Sequence, residues 1–96
     1  MNVRDIVLRE NETIRFSSKA RFIRYEGYIV LTTERLICRL RFKKSPIETL
    51  YKGFDIDINE ITAISNKNDI FIIQHKDKFY NLSIELYEDF LRYFGR

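Results

Sequence analysis

The sequence predicts a mainly β (α+β) fold, a seven-stranded antiparallel barrel or sandwich capped by one C-terminal α-helix. Three observations carry that expectation. Seven short strand-like stretches, several of them alternating apolar with polar residues, follow one another, polar tetrads between the later stretches suit hairpin turns, and the period changes to a helical one after Ser83. Ninety-six residues suffice for one hydrophobic core and not for two, so residues 1–96 are read as a single domain.

The first strand is expected over Thr13–Arg24, where Ile14, Phe16, Ser18, Ala20 and Phe22 face one way and Thr13, Arg15, Ser17, Lys19, Arg21 and Ile23 the other. Small residues at Ser17-Ser18 offer a place to bend, and Glu26-Gly27 supplies a turn. Tyr28–Thr32 is apolar on both sides, the pattern of a central strand covered on both faces or of one whose inward face the pattern does not assign. Arg35–Lys43 is the clearest segment. Leu36, Cys38, Leu40 and Phe42 point to the core, with Arg35, Ile37, Arg39, Arg41 and Lys43 on a cationic outer face. Lys43–Gly53 contains the one proline and reads as the longest loop. Phe54, Ile56 and Ile58 then alternate with Asp55, Asp57 and Asn59. Ile61–Asn66, Ile70–His75 and Lys78–Ser83 follow, separated by polar tetrads. Consecutive strands of this kind imply an antiparallel meander. Tyr87, Phe90, Leu91 and Phe94 fall at i, i+3, i+4 and i+7, one stripe of a helix of about three turns. Ser83 is the expected N-cap and Gly95 the stop.

Composition narrows the function classes. No apolar run exceeds four residues, as at Tyr28–Leu31, far below the roughly 20 of a membrane-spanning helix, and Met1–Asp5 lack the apolar stretch of a signal peptide. A lone cysteine, Cys38, makes no internal disulfide. The expectation is a cytoplasmic protein, with peripheral membrane association as an alternative. Net charge is +3, but its distribution is uneven: residues 1–52 carry a net +6 and residues 53–96 a net −3.

Catalytic and metal chemistry find little support. Cys38 lies on a core face and His75 at a strand end, so a Cys–His pair has no sequence support beyond their presence. No Cys-x-x-Cys or His-x-x-x-His spacing suggests zinc, and no glycine-rich phosphate loop exists. No enzyme activity, cofactor or metal is expected. Asp55 and Asp57 are read as outward residues of a strand beside Arg35–Lys43, pairing with Arg39 and Arg41 across strands.

The basic face is the one constellation with functional content. In meander order Arg15, Lys19 and Arg21 share an outer surface with Arg35, Arg39, Arg41 and Lys43, a layout suited to an anionic membrane surface. Phe22, Ile23 and Tyr25 beside Arg21 and Arg24 suggest base stacking and nucleic-acid binding as another alternative, against a core role for Phe22. Ile23 and Ile37, outward-pointing amid arginines, form a candidate apolar interface for a protein partner.

Gly27-Tyr28-Ile29-Val30-Leu31-Thr32-Thr33-Glu34-Arg35-Leu36-Ile37 resembles the second hairpin of GRAM and bacterial PH-like domains, with a Gly, an apolar strand and Thr-x-x-Arg at the turn. Glu12-Thr13-Ile14 is similar to the opening of their first strand. Ile56-Asp57-Ile58-Asn59-Glu60-Ile61-Thr62-Ala63-Ile64 resembles their Ile-x-Leu-x-x-Ile-x-x-Ile segment. The likeness spans about residues 10–94. It implies a PH-like fold and a non-enzymatic role in binding lipid headgroups or protein partners. Thr32 and Arg35 then fix the hairpin, and the short Tyr25-Glu26-Gly27 loop lacks the paired cations of an inositide pocket. With one module in the sequence, protein–protein interaction or self-association is the leading expectation.

Overall fold

The computed structural model describes residues 6–94. Seven antiparallel strands form one sheet, followed by one helix: β1 (Ile14–Phe22), β2 (Tyr25–Thr32), β3 (Arg35–Ser45), β4 (Glu48–Asp57), β5 (Ile61–Lys67), β6 (Ile70–His75), β7 (Lys78–Ile84) and α1 (Tyr87–Tyr93). A 3-10 turn, Ile58–Glu60, links β4 to β5. The spatial order is β4-β3-β2-β1-β7-β6-β5. It is therefore two meanders joined where β1 meets β7, rather than one meander in chain order. That seam is short, with Ala20 opposite Ile84 and Arg21 opposite Ser83.

Alternation places the core on one face of this curled sheet. Phe16, Ile29, Leu31, Leu36, Cys38, Leu40, Phe71, Ile73, Leu82 and Ile84 are buried together with Phe90 of the helix. The Phe54 and Tyr80 rings lie 4.5 Å apart between centroids, so β4 and β7 face one another across the interior without pairing. β2 is covered on both sides, with Ile29, Val30 and Leu31 all enclosed. The tetrads after β5 and β6 fold as tight turns, Asn68 and Lys76 each taking left-handed backbone.

Several expectations are corrected. The turn between the first two strands is Ile23-Arg24, not Glu26-Gly27. Gly27 lies within β2, where any Cβ would strike the Arg39 carbonyl of β3; its glycine serves strand approach and not a turn. The long loop over Lys43–Gly53 does not exist. β3 runs to Ser45 and β4 begins at Glu48, paired from Ser45–Glu48 through Arg35–Asp57, with Pro46-Ile47 as the turn. Irregularity in β1 falls between Ile14 and Phe16 rather than at Ser17-Ser18.

The helix is shorter than expected, seven residues, for a reason in the strand beneath it. The Glu85 N–H donates to the Lys19 carbonyl at 3.0 Å, and the Leu86 N–H donates to Ser18 Oγ at 3.0 Å. Those bonds tie Glu85 and Leu86 to β1 as a turn, so Leu86 becomes the cap residue and the helix begins only at Tyr87. Ser83, the expected cap, belongs to β7 and donates instead to Asp69 Oδ2 at 2.8 Å. Gly95, the expected stop, lies outside the described residues. Phe90 sits between Phe71 (5.0 Å, edge-on), Phe94 (5.6 Å) and Phe16 (6.2 Å), and Tyr93 stacks on Phe16 at 5.5 Å. Such ring pairs add to the gain from area burial alone.

Phe90→Ala is expected to lower the unfolding free energy by about 3–5 kcal/mol, because neighbouring rings cannot close over the gap. Urea unfolding followed by circular dichroism measures it.

Candidate docking face

The outer face of β1 to β4 divides into a closed half and an open half, and the division originates in one buried ion pair. Glu12, just ahead of β1, has a fully enclosed side chain, and Arg35 at the start of β3 is nearly so. Arg35 Nη2 donates to Glu12 Oε1 at 2.7 Å and Arg35 Nε to Oε2 at 2.9 Å, a two-pronged contact matching guanidinium to carboxylate. The Arg9 N–H donates to Oε1 at 2.8 Å, and the Thr32 hydroxyl donates to Oε2. Thr32 Oγ1 in turn accepts from the N–H groups of Glu34 (3.0 Å) and Arg35 (2.8 Å), holding the β2–β3 turn. Nη2 also donates to the Val7 carbonyl at 2.9 Å, and the remaining nitrogen, Nη1, reaches Asp55 Oδ2 at 3.2 Å. The Arg35 guanidinium holds the Glu12 carboxyl well below its ordinary 4.5, at about 2, with Thr32 and the Arg9 N–H adding to it against the effect of burial.

Asp55 also accepts from Arg39 Nη1. Ile37 lies between Arg35 and Arg39 on the same strand face, with Asp55 directly opposite on β4 and Val30 opposite on β2. Both arginines turn to Asp55 around it, and Ile37 is fully buried. This overturns its expected role in an apolar interface. Alternation gave its face correctly but not its cover. Arg35 and Arg39 are likewise removed from a free cationic surface. Asp57 pairs with Arg9 at 3.0 Å rather than with Arg41, and Arg9 also reaches Glu34 at 3.2 Å.

The open half is a groove of about 740 Å³ over β1 to β3. It brings together Lys19, Arg21, Arg41 and Lys43 from the expected set and adds Arg24 from the β1–β2 turn. None of these five forms an ion pair with a described residue. Glu26, directly opposite both Arg21 and Arg41, and Glu85 are the carboxylates of its lining. Arg15 is exposed beside the irregularity in β1, away from the groove. Because β1 to β4 are consecutive antiparallel neighbours, the β1–β2 and β3–β4 turns lie at the same end of the sheet. Each carries an isoleucine in solvent, Ile23 at 76% and Ile47 at 97% exposure. Ile23 also has a φ of 56°, a backbone that costs a β-branched residue about 1–2 kcal/mol. Sequence reasoning missed Ile47, whose signal was its place after Pro46 and the Lys43-Lys44 pair.

The rings proposed for base stacking are engaged within the protein. Lys52 Nζ lies 5.5 Å from the Phe22 centroid and 5.4 Å from that of Tyr25, and the Arg24 guanidinium lies 5.8 Å from that of Phe42. Cys38 is buried, and burial pushes its thiol up to about 12, so it is held protonated. His75 is half-buried rather than exposed, and its Nε2 has no hydrogen-bond partner among the described residues. No hydrogen bond joins it to Cys38. Among the described residues no three His, Cys, Asp or Glu side chains cluster to hold a metal, and no helix is long and apolar enough to cross a membrane. No protein-family model matches the chain, and no curated protein matches it.

Glu12 has a depressed folded pKa, so its stabilising contribution is complete above 4.5 and is lost as pH falls through about 2. Denaturant unfolding across that interval is expected to show stability falling toward acid. Glu12→Gln, which leaves the buried Arg35 with only the more exposed Asp55 as counter-charge, is expected to cost about 3 kcal/mol at neutral pH and to flatten that acid dependence.

Proposed function

We propose that the protein is a non-enzymatic, PH-like binding module that docks on anionic membrane surfaces through the hairpin end of β1 to β4. The observation that carries this reading is the pairing of two exposed isoleucines, Ile23 and Ile47, with a groove of five cations that lack described carboxylate partners. Arg24 lies in the β1–β2 turn and Arg21 near the end of β1 before it, so the loop is richer in cations than its expected position suggested. Near an anionic bilayer each such cation contributes around 1 kcal/mol. Their sum is comparable with the roughly 4 kcal/mol or more lost in immobilising a protein, so the cations alone support only loose contact. Burial of the two isoleucine side chains, about 0.8 kcal/mol for each CH2 removed from water, supplies the difference.

Sedimentation with phosphatidylcholine vesicles, with and without phosphatidylserine, tests the reading. Binding is expected only with phosphatidylserine, declining as salt rises. Ile47→Asp and the double change Arg21→Glu, Arg41→Glu are each expected to weaken it at least about tenfold. Equal partition onto neutral vesicles, no binding even at low salt, or preferential retention by single-stranded DNA would overturn it.

A second reading, a protein partner that includes a second copy of this chain, is favoured by a different surface. Ile70, Ile72 and Phe79 are exposed on the outer side of β6 and β7, and the neighbouring edge strand β5 pairs only with β6. If this surface mediates self-association, light scattering will show a concentration-dependent dimer that Ile72→Lys abolishes. A monomer at every concentration removes self-association.

A further inference from the structure

Between the inner faces of β4 and β7 the curled sheet leaves a cavity of about 510 Å³, within the roughly 300–1,000 Å³ of small-ligand sites. Its wall is mainly apolar and aromatic, with Phe22, Leu40, Phe54, Tyr80 and Leu82 among its residues, and Asn81 and Lys52 add polar groups. Leu40 and Leu82 belong to the buried core, so the cavity is open to solvent on one side and reaches the core on the other. Among the described residues Lys52 is the only charged one in the lining. Its ammonium rests on the Phe22 and Tyr25 rings and has no carboxylate partner among the described residues.

We infer that this cavity binds a free single-chain carboxylate, with the hydrocarbon chain between β4 and β7 and the carboxylate on Lys52. The chemistry follows from what the lining offers. An apolar wall selects hydrocarbon, and one cation at the rim selects a single negative group at the end of the chain. A phosphorylated or multiply charged ligand would leave charge against Phe54 and Leu82, where nothing pairs with it. The ammonium exchanges its cation–π contacts for a charge-assisted hydrogen bond, the stronger kind of interaction. This site stands apart from the basic groove and does not rest on its reading.

Titration calorimetry of the full chain with decanoate, without vesicles, tests the inference. Chemical shifts of the Phe54 and Tyr80 rings locate the ligand. Saturable decanoate binding that perturbs both rings is expected, with no comparable binding of decyltrimethylammonium. Lys52→Met, an exposed change that leaves the core intact, is expected to weaken decanoate about tenfold and to leave binding of uncharged decanol unchanged. Four results would overturn the inference: absence of saturation, equal affinity for the cationic analogue, full retention of decanoate by Lys52→Met, or ring perturbation that appears only when phospholipid vesicles are added.

Discussion

The contact between Glu12 and Arg35 orders the rest of the molecule. Two charges withdrawn from water are tolerated only where their remaining hydrogen-bonding capacity is filled. Here Thr32, the Arg9 N–H, the Val7 carbonyl and Asp55 fill it. Because those partners come from the segment before β1, the β2–β3 turn and β4, one ion pair fixes the relative positions of three pieces of chain far apart in sequence. It also determines the charge left over. Arg35 and Arg39 are committed to Asp55 at one end of the sheet, and the uncommitted cations collect at the other.

The same sheet is held together unevenly. Within each meander the strands pair along most of their length, yet β1 and β7 meet over two residue pairs. On the far side β4 and β7 touch only through side chains such as Phe54 and Tyr80. A fully closed barrel of this size fills its interior with side chains. This one closes well at the helix, where Phe90 is surrounded by rings, and incompletely at the β4 side, where a ligand-sized space persists. The closed end and the open end are thus products of one topology. β1 borders both meanders and supplies Ser18 and Lys19 to the start of the helix, whereas β4 is left as an edge.

Legibility in the sequence followed the way each residue is covered. β3 was plain because Leu36, Cys38 and Leu40 face a core and alternate with cations. The first half of β4 was not, since an edge strand with Tyr51, Lys52 and Gly53 in solvent contact has little pattern to display. Alternation assigned Ile37 to the outer face, and it is there. What it could not convey is that distant arginines and an aspartate surround that position. The basic face was legible as composition only, because its division depends on where Glu12, Asp55 and Asp57 arrive in space. The turn before β2 was misplaced for a similar reason. Gly27 is the residue usually associated with turns, yet here it answers to the Arg39 carbonyl of the neighbouring strand.

Among the described residues four non-glycine residues hold left-handed backbone, and three of them, Asn11, Asn68 and Lys76, have unbranched Cβ positions that suit it better than isoleucine does. Ile23 combines the least suited side chain of the four with an exposed place. In isolation the molecule rests above the energy its own scaffold could reach with asparagine at that tip. A boundary between water and hydrocarbon is where the ranking reverses, and where an ill-fitting residue becomes the best-placed one.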